Sequence, residues 1–285
     1  MKDNDSNYNK LTAEERAVLI NKGTEAPFKG FFTDYKERGL YLCKQCNEPL
    51  FWSDSKFDSR CGWPSFDNEI YNALTYVPDS DGRRTEIVCA KCGAHMGHVF
   101  KGEGYTEKNV RHCVNSISMN FIPEVEIEKA IFAGGCFWGV QYLFRNIKGV
   151  YTSRVGYTGG KKENPTYQEV CHSDTGHLEA LEISFNPEVV SYEELTKLFF
   201  EIHDPTQSNG QGPDLGDQYL SAIFYSDLKQ KETAEKLIGI LRDKGYDVVT
   251  ELIQAETFWE AEDYHQFYYE KKGSTPYCHI YTKKF

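Results

Sequence analysis

The sequence predicts two domains: an N-terminal, mainly β domain and a C-terminal α+β domain with a ferredoxin-like split βαβ plan and appended elements. The length supports this division, because 285 residues is about twice the usual size of one domain. With 40% hydrophobic and 26% charged residues, the composition is that of a folded globular chain. Near residue 125 a short charged stretch separates β-rich segments from a region that mixes helices and strands.

The first domain is assigned to residues 1–122, followed by a linker at 123–126. A helix is predicted over 12–21, because Thr12 followed by Glu15 forms a capping-box pattern. From 41 to 122 there is little helical periodicity and there are many Gly, Asp and Ser residues, which predicts short strands. These strands include 86–90 and 114–121, and the second alternates polar with apolar residues as a half-buried strand does.

The second domain, residues 127–285, is predicted to mix strands and helices. Hydrophobic periodicity predicts strands at 127–134, 150–157, 178–185, 219–225 and 247–254, and helices at 136–147, 192–202, 227–243 and 257–271. Ser191 and Glu194 provide an N-terminal capping box for the second helix. The order β-α-β-β-α-β is that of the ferredoxin-like plan.

Charge and cysteine content restrict the function. The net charge is −11, and a protein that binds nucleic acid requires a basic surface, so we do not expect nucleic acid as a partner. There is no long apolar run and no signal-peptide core, so we expect a cytoplasmic protein that is not bound to a membrane. Nine cysteines in a reducing compartment indicate metal binding or thiol chemistry rather than structural disulfides.

Two Cys-x2-Cys pairs in the first domain predict a structural zinc site with four thiolate ligands: Cys43 and Cys46, and Cys89 and Cys92. One alternative is a pair of redox dithiols, but neither motif lies at a strand-to-helix junction. Another alternative combines the second pair with His95 and His98. The site with four thiolates is favoured because it uses both pairs and leaves the histidines for chemistry.

Two further thiols of this domain are Cys61, in the segment CGWPSF, and Cys113, in RHCVNS. Cys113 follows Arg111 and His112, and a nearby cation favours thiolate over thiol. Cys113 is therefore the better candidate nucleophile, although a buried, inert thiol is an equally simple interpretation of either cysteine.

Together, the Cys-x2-Cys pairs, CGWPSF, HMGHVF and RHCVNS resemble methionine sulfoxide reductase B over residues 10–122. The resemblance implies that Cys113 attacks the sulfoxide sulfur and that Cys61 resolves the resulting sulfenic acid as a disulfide. It also implies that His95, His98 and Asn115 hold and protonate the sulfoxide oxygen. By the same resemblance, Arg111 is the basic residue beside the nucleophile and Trp63 contacts the substrate methyl group. Relatives often have an acidic residue soon after HVF, where this chain has Lys101 and Gly102.

In the second domain, Cys136 starts a predicted helix after a strand and a glycine turn, so the helix dipole is expected to lower its pKa. Phe137 and Trp138 are either core residues or an apolar pocket for a thioether methyl group. Glu179 lies on the apolar face of a strand, where burial is expected to raise its pKa as a general acid requires. The alternative is a strand-end glutamate that reaches water.

GCFWG, NPTY, TGHLEA, QY and a late Tyr-Cys resemble methionine sulfoxide reductase A over residues 127–285. The resemblance implies that Cys136 is the nucleophile, Glu179 the acid and Cys278 the resolving thiol. It further implies that Tyr167 and Tyr219 donate hydrogen bonds to the sulfoxide oxygen. Phe137 and Trp138 would form the pocket for the methyl group, and Asp214 would be an acidic residue of the same site. Many relatives have a second C-terminal cysteine, which is not found here, so we expect the reductant to attack the Cys136–Cys278 disulfide directly. Leu215 replaces a frequent histidine, and Cys171 is expected to be a small buried residue.

The two resemblances imply reduction of methionine sulfoxide in oxidised proteins and peptides, the R epimer in the first domain and the S epimer in the second. Thioredoxin or a similar dithiol would be the reductant, with no organic redox cofactor. Another hypothesis is a zinc-ribbon module joined to a cysteine hydrolase, in which His177 or His172 assists Cys136. A third is a fusion in which one site has lost its activity.

Overall fold

A computed structural model of the chain describes residues 8–79 and 82–285. The chain divides into two compact units, residues 1–126 and 127–285. Each unit has its own hydrophobic core and its own sheets. Within the described residues, no helix is both long enough and apolar enough to cross a membrane.

The first unit is built from short strands after one N-terminal helix. The helix is α1 (Ala13–Leu19), and the strands are β1 (Gly39–Cys43), β2 (Pro49–Trp52), β3 (Lys56–Phe57), β4 (Ser65–Phe66), β5 (Leu74–Pro78), β6 (Thr85–Cys89), β7 (His95–Lys101), β8 (Val110–Val114) and β9 (Met119–Pro123). They form one antiparallel sheet in the order β2-β1-β9 and another in the order β3-β4-β8-β7-β6-β5. Both sheets contribute side chains to one core, which includes Tyr41, Phe51 and Phe66.

The predicted helix over 12–21 is confirmed. The Thr12 side chain accepts a hydrogen bond from the backbone N–H of Glu15, and the Glu15 carboxylate accepts one from the backbone N–H of Thr12. These two bonds satisfy N–H groups that have no partner within the helix.

The predicted single strand over 114–121 is wrong. A 3-10 turn at Ser116–Ser118 separates β8 from β9, which belong to different sheets. The Glu25 carboxylate accepts hydrogen bonds from the N–H groups of Ser116 and Ile117, and the Ser118 hydroxyl donates to the carbonyl of His95. These side-chain bonds replace the strand ladder, so the alternating pattern in this stretch does not reflect one strand.

The second unit combines one mixed sheet with helices. Its strands are β10 (Glu128–Gly134), β11 (Val150–Thr158), β12 (Leu178–Phe185), β13 (Gly210–Gln211), β14 (Asp214–Leu215), β15 (Ser221–Tyr225), β16 (Glu251–Gln254) and β17 (Trp259–Glu260), and its helices are α2 (Phe137–Phe144), α3 (Tyr167–His172), α4 (Tyr192–Ile202), α5 (Leu228–Asp243) and α6 (Tyr268–Lys272). The main sheet has the order β16-β15-β10-β12-β11-β17, in which β15 and β16 are parallel and the other neighbours are antiparallel. The hairpin β13-β14 stands apart.

Strong hydrophobic periodicity located most of these elements. The strand predicted at 178–185 and the helix at 192–202 have the predicted bounds, and Ser191 and Glu194 form the expected capping box. The short helix α3 was not predicted, because six residues are too few for a periodic pattern.

The helix predicted over 257–271 is wrong. The first part of this segment, β17, pairs with β11 at the sheet edge, and only Tyr268–Lys272 is helical. The Gln266 side chain accepts a hydrogen bond from the N–H of Val155 and donates one to its carbonyl. The segment therefore covers the edge of β11, a tertiary role that overrides local helix preference.

Candidate active sites

The four cysteines of the first unit's Cys-x2-Cys pairs form one compact cluster. Their sulfur atoms lie within 4.8 Å of one another, and the Cys43–Cys92 and Cys46–Cys89 contacts are both 3.6 Å. In a tetrahedral zinc site the sulfurs are about 2.3 Å from the metal and hence about 3.8 Å apart. The cluster therefore fits a structural zinc ion.

The two pairs have the same backbone geometry. The N–H of Asn47 donates to the carbonyl of Cys43, and the N–H of Gly93 donates to that of Cys89. Asn47 and Gly93 both have positive φ, which asparagine and glycine tolerate best. Because Cys43 ends β1 and Cys89 ends β6, a bound metal would connect the two sheets.

His95 and His98 do not belong to this cluster, so the structure does not support the alternative metal site built from Cys89, Cys92 and the two histidines. The Nδ1 atom of His95 lies 2.7 Å from Oε1 of Glu86, and Nε2 of His98 lies 3.1 Å from Oδ2 of Asp79. Both histidines lie on β7, beside the strand that bears Cys113. The sequence analysis missed both carboxylate partners, since nothing local indicated which strand would pair with β7.

Cys61 and Cys113 lie together, with their sulfurs 3.8 Å apart. Cys113 is on β8, where it faces Ser65 of β4 and His98 of β7 across the ladders. Cys61 lies in the loop before β4, and the Ser59 hydroxyl donates to its sulfur at 3.0 Å. The two thiols are thus close enough to form a disulfide after a small movement.

The two thiols share a proton unequally. The hydrogen bond from Cys113, followed by those from Ser59 and Ser65, lowers the pKa of Cys61 to about 4 despite partial burial. The hydrogen bond to Cys61, burial and the charge on Cys61 raise the pKa of Cys113. In this arrangement the thiolate is on Cys61, not on Cys113 as the sequence indicated. The neighbouring His112 turns away, and its Nδ1 lies 3.1 Å from the carbonyl of Phe66.

Arg111 supports this thiolate. Its Nη1 donates to the sulfur of Cys61 at 3.4 Å, while Nε and Nη2 form a two-pronged ion pair with Glu103 at 2.7 and 3.0 Å. Its guanidinium also packs over the Phe100 ring at 4.5 Å. Glu103, which provides this carboxylate, lies one residue beyond Lys101 and Gly102, the positions at which relatives often have an acidic residue.

His95 leaves one polar atom without a partner. Its Nε2 is buried and has no hydrogen bond in the described part of the chain. Burial lowers the pKa of His95, partly opposed by Glu86. This nitrogen is therefore available to a ligand oxygen, to which it donates only when the ring is protonated.

Trp63 and Asn115 are held by one segment near α1. The indole N–H of Trp63 donates to the carbonyl of Glu25 at 3.0 Å, and the N–H of Glu25 donates to the side-chain oxygen of Asn115 at 3.1 Å. The Asn115 amide also donates to the carbonyl of Met96 at 3.1 Å. The side chains of Trp63 and Asn115 are thus oriented by hydrogen bonds to backbone groups.

In the second unit, Cys136 caps the N-terminus of α2 and is buried. The hydrogen bond with Cys278, followed by burial, raises the pKa of Cys136. Hydrogen bonds from the N–H groups of Trp138 and Gly139 lower it, as expected at a helix N-terminus, but they are outweighed. The expectation of a lowered pKa for Cys136 is therefore wrong in this arrangement.

Glu179 is 2% exposed, so it is not a strand-end residue that reaches water. Its carboxylate accepts a hydrogen bond of 3.1 Å from the N–H of Phe137, the residue after Cys136. Burial, followed by the charge of Cys136, raises the pKa of Glu179 well above its ordinary value, as the sequence predicted. Burial thus favours the protonated form of this carboxyl group beside the Cys136 thiol.

Cys278 completes a second sulfur pair. The Sγ atoms of Cys136 and Cys278 and a carboxylate oxygen of Asp214 lie within 4.8 Å of one another. The Tyr277 hydroxyl donates to Oδ1 of Asp214 at 3.3 Å, while Oδ2 is buried without a partner in the described residues. Leu215 points to solvent and is 61% exposed.

The aromatic residues after Cys136 differ in exposure. Phe137 is 1% exposed and packs against Tyr157 and His265, so it belongs to the core. Trp138 is partly exposed, stacks on Tyr268 at 3.7 Å and donates from its indole N–H to Nδ1 of His265. Phe137 thus supports the site from within the core, and Trp138 offers the accessible aromatic surface.

Tyr167 and Tyr219 lie near the buried carboxyl group. Burial, and then the charge of Glu179, raises the pKa of each tyrosine. The expectation that Cys171 is buried is wrong, since its side chain is partly exposed. It lies one turn after Tyr167 on α3 and forms a hydrogen bond with that side chain. All three side chains therefore border the Glu179 end of the site.

The structure does not support His177 as a base for a hydrolase. The N–H of Gly160 donates to its Nδ1 at 3.1 Å, and its Nε2 lies 2.7 Å from the carbonyl of Lys162. With both nitrogens bonded to the backbone, this ring has no free atom for Cys136. The other candidate, His172, is exposed at the end of α3.

Comparison with known proteins assigns each unit. Residues 11–123 match the SelR domain, and residues 128–285 match the family described as peptide methionine sulfoxide reductase. The chain is 50% identical over 155 residues to peptide methionine sulfoxide reductase MsrA of Sulfolobus acidocaldarius, covering 54% of this chain and 88% of that protein. It is also 50% identical over 157 residues to MsrA of Methanosarcina acetivorans, covering 53% and 82%.

Among solved structures, reduced Mxr1 of Saccharomyces cerevisiae is similar to this chain with a TM-score of 0.52 and 36% identity. The match covers 55% of this chain and 93% of Mxr1. The chain therefore belongs to the peptide methionine sulfoxide reductase family, as a bifunctional reductase that joins an N-terminal SelR domain, of the B type, to a C-terminal domain of the A type.

Proposed function

We propose that the two units reduce the two epimers of methionine sulfoxide separately, R in residues 1–122 and S in residues 127–285, with 123–126 as linker. The sulfoxide sulfur is chiral, and a pocket that fits one epimer places the oxygen of the other on the wrong side. Each unit has its own sulfur pair and its own proton-donating side chains. This duplication supports independent reactions on oxidised proteins and peptides.

In the first unit, Cys113 attacks the sulfoxide sulfur after the shared proton passes to Cys61 across their 3.8 Å contact. The sulfoxide oxygen takes up a proton and moves to Cys113 as sulfenic acid, while methionine leaves. We assign binding and protonation of that oxygen to His95 and His98; Nε2 of His95 has no hydrogen-bond partner among the described residues and can donate once the ring is protonated. Contact with the methyl group is assigned to Trp63, and Asn115 and Arg111 orient the neighbouring groups.

In the second unit, Cys136 attacks and Glu179 donates its proton to the sulfoxide oxygen, assisted by Tyr167 and Tyr219. The proton that Cys136 loses during the attack replaces the one that Glu179 has given, so the thiol and the sulfoxide yield the Cys136 sulfenic acid and methionine. The Cys278 thiol then condenses with the Cys136 sulfenic acid, with loss of water, to give a disulfide. We assign contact with the substrate methyl group to Trp138 and the neighbouring Phe137 ring. Asp214 is the acidic residue beside the two sulfurs.

A dithiol protein of the thioredoxin type is the proposed reductant for both disulfides, since exchange requires only a second thiolate. We place the protein in the cytoplasm, because thiols that are free in the structure are typical of a reducing compartment. The strand order β15-β10-β12-β11 with antiparallel neighbours supports the ferredoxin-like plan for the second unit, with β16 and β17 appended at its edges.

The observation that carries this proposal is that each unit has two thiols whose sulfurs lie within 4.8 Å of each other, near side chains that can donate a proton. When methionine sulfoxide is added without reductant, we expect each active site to lose two thiols and to release one methionine. Mass spectrometry should then find Cys61 linked to Cys113 and Cys136 linked to Cys278. A hydrolase would lose no thiol, and thiol loss without those two linkages would overturn the mechanism.

We further propose that the four-cysteine cluster holds one structural zinc ion, and we expect about one zinc per chain. Cys43→Ser should remove the metal and unfold most of the first unit, because binding of structural zinc contributes about 10 kcal/mol or more to folding. Metal analysis and circular dichroism would measure both effects. Cys171→Ser is the matched control, and it should retain the zinc. Retention of a folded first unit without metal would refute the structural role.

A further inference from the structure

The imidazole of His279 lies directly beside the resolving thiol. Its Nδ1 is 3.0 Å from the sulfur of Cys278, and its Nε2 is 2.8 Å from the carbonyl oxygen of Gly134. A carbonyl oxygen only accepts hydrogen bonds, so Nε2 bears the hydrogen and Nδ1 presents a lone pair to the thiol. The thiol of Cys278 therefore donates to a base that the backbone already holds in the required tautomer.

The nucleophile's own motif builds the socket for this ring. Gly134 lies two residues before Cys136 and supplies the carbonyl acceptor. Gly139 lies three residues after Cys136, and a Cβ atom at that position would overlap the imidazole. The ring is 5% exposed. The two glycines that flank Cys136 thus fix His279 against the start of α2, where the two sulfurs meet.

Charged and titratable groups approach the ring from several elements. They are Cys278 beside it, Asp214 on β14 and His203 after α4, while the sulfur of Cys136 at the start of α2 lies within 4.8 Å of the Cys278 sulfur. Burial lowers the pKa of His279, while the Gly134 carbonyl and then Asp214 oppose that effect. The lowered pKa favours the neutral ring, whose Nδ1 can accept a proton, and the carboxylate of Asp214 stabilises the ring once it becomes protonated.

We propose that His279 is the general base that activates Cys278 for disulfide formation. This step rests on the proposed function of the second unit. The Cys278 proton passes to Nδ1, and the sulfur attacks the sulfenic sulfur of Cys136. The S–S bond forms as the S–O bond breaks, and the departing hydroxide takes the proton from Nδ1 and leaves as water. Cys278 is oxidised, and the sulfenic sulfur of Cys136 is reduced.

A base is useful here because an ordinary cysteine thiol is largely protonated near neutral pH and a thiol is a weak nucleophile. Rapid closure also limits the lifetime of the sulfenic acid, which further oxidant converts to sulfinic acid. The sequence analysis assigned no role to His279, although its position directly after Cys278 was a visible signal.

The test uses the full chain with Cys113→Ser, so that only the second unit reacts, and one equivalent of the S epimer of a methionine sulfoxide peptide. With His279→Ala we expect methionine release in the first turnover to be unchanged and disulfide formation to slow by about 10²-fold or more. The sulfenic acid on Cys136 should then accumulate and be trapped by dimedone. Added imidazole should restore part of the rate.

Two variants serve as controls. His172→Ala removes an exposed imidazole of the same unit and should leave both steps unchanged. Gly139→Ala keeps His279 but displaces its ring, so it should also slow disulfide formation, and it provides the test if His279→Ala does not fold. In the parent chain the rate of disulfide formation should fall as pH decreases through the imidazole pKa, a dependence that His279→Ala should lose.

The outcomes separate this inference from the proposed function. If the parent chain releases no methionine in the first turnover, the proposed function fails. If it releases methionine and His279→Ala closes the disulfide at the parent rate, the proposal for His279 is overturned. An unchanged rate in folded Gly139→Ala, or a pH profile without the imidazole dependence, would overturn it as well.

Discussion

Cys136→Ser should abolish reduction of the S epimer and leave reduction of the R epimer unchanged, and Cys113→Ser should have the opposite effect. A serine hydroxyl is a far weaker nucleophile than a thiolate and forms no sulfenic acid or disulfide. Each sulfur pair lies within one unit, so neither loss is compensated by the other unit. Chromatographic separation of the epimers remaining after incubation with dithiothreitol measures both activities at once.

Cys171→Ser is the matched control for these substitutions. The residue is a partly exposed thiol of the second unit, and a serine hydroxyl preserves its hydrogen bond with Tyr167. It should retain both epimer activities. Residual turnover of the S epimer by Cys136→Ser would show that another thiol performs the reaction, and loss of both activities in either variant would contradict independent sites.

Glu179→Gln should lower the rate of S-epimer reduction by about 10²–10⁴-fold, the usual contribution of a general acid. The amide oxygen still accepts the Phe137 N–H and keeps the size of the side chain, but the amide has no acidic proton to transfer. Burial raises the pKa of Glu179 and so favours the protonated form of the carboxyl group, which can donate a proton. The activity of the parent chain should therefore decrease as pH rises through that raised pKa, and the variant should lose this decrease.

A nearby glutamate provides the comparison. Glu182 is three residues along β12, is similarly buried and accepts a hydrogen bond from Arg154 at 2.8 Å. Glu182→Gln weakens an ion pair away from the sulfurs, so it should leave S-epimer turnover and its pH profile unchanged. If both substitutions reduce turnover equally, the effect of Glu179→Gln is structural and the general-acid role is refuted.

Local sequence patterns predicted the elements that have strong periodicity and clear caps. The helix at 192–202 combines an apolar face with a Ser191 capping box, and both signals act within a few residues. The segments 114–121 and 257–271 were predicted wrongly because distant groups determine them. Glu25 interrupts the first, and pairing with β11 extends part of the second. No window of local sequence contains those partners.

The candidate sites follow the same division. Cys-x2-Cys spacing, the position of Cys136 before a helix and the burial of Glu179 were all readable along the chain. The Arg111–Glu103 pair and the His95–Glu86 pair depend on neighbouring strands and on a loop between them. The pKa of Cys136 also depended on a partner far along the chain, because Cys278 outweighs the helix N-terminus.

The amino-acid sequence alone determined the domain order, the chemical types of the reacting groups and the thiol character of the reaction, because motifs and periodicity are local properties of the chain. Tertiary structure alone decided that a partner thiol and burial raise the pKa of Cys113 and of Cys136, and which imidazole nitrogens have hydrogen-bond partners. It also decided that His279 is turned towards Cys278 by the Gly134 carbonyl. The physical reason is that proton affinity depends on burial and on charges within a few ångströms, and folding brings those charges from residues far apart in the chain.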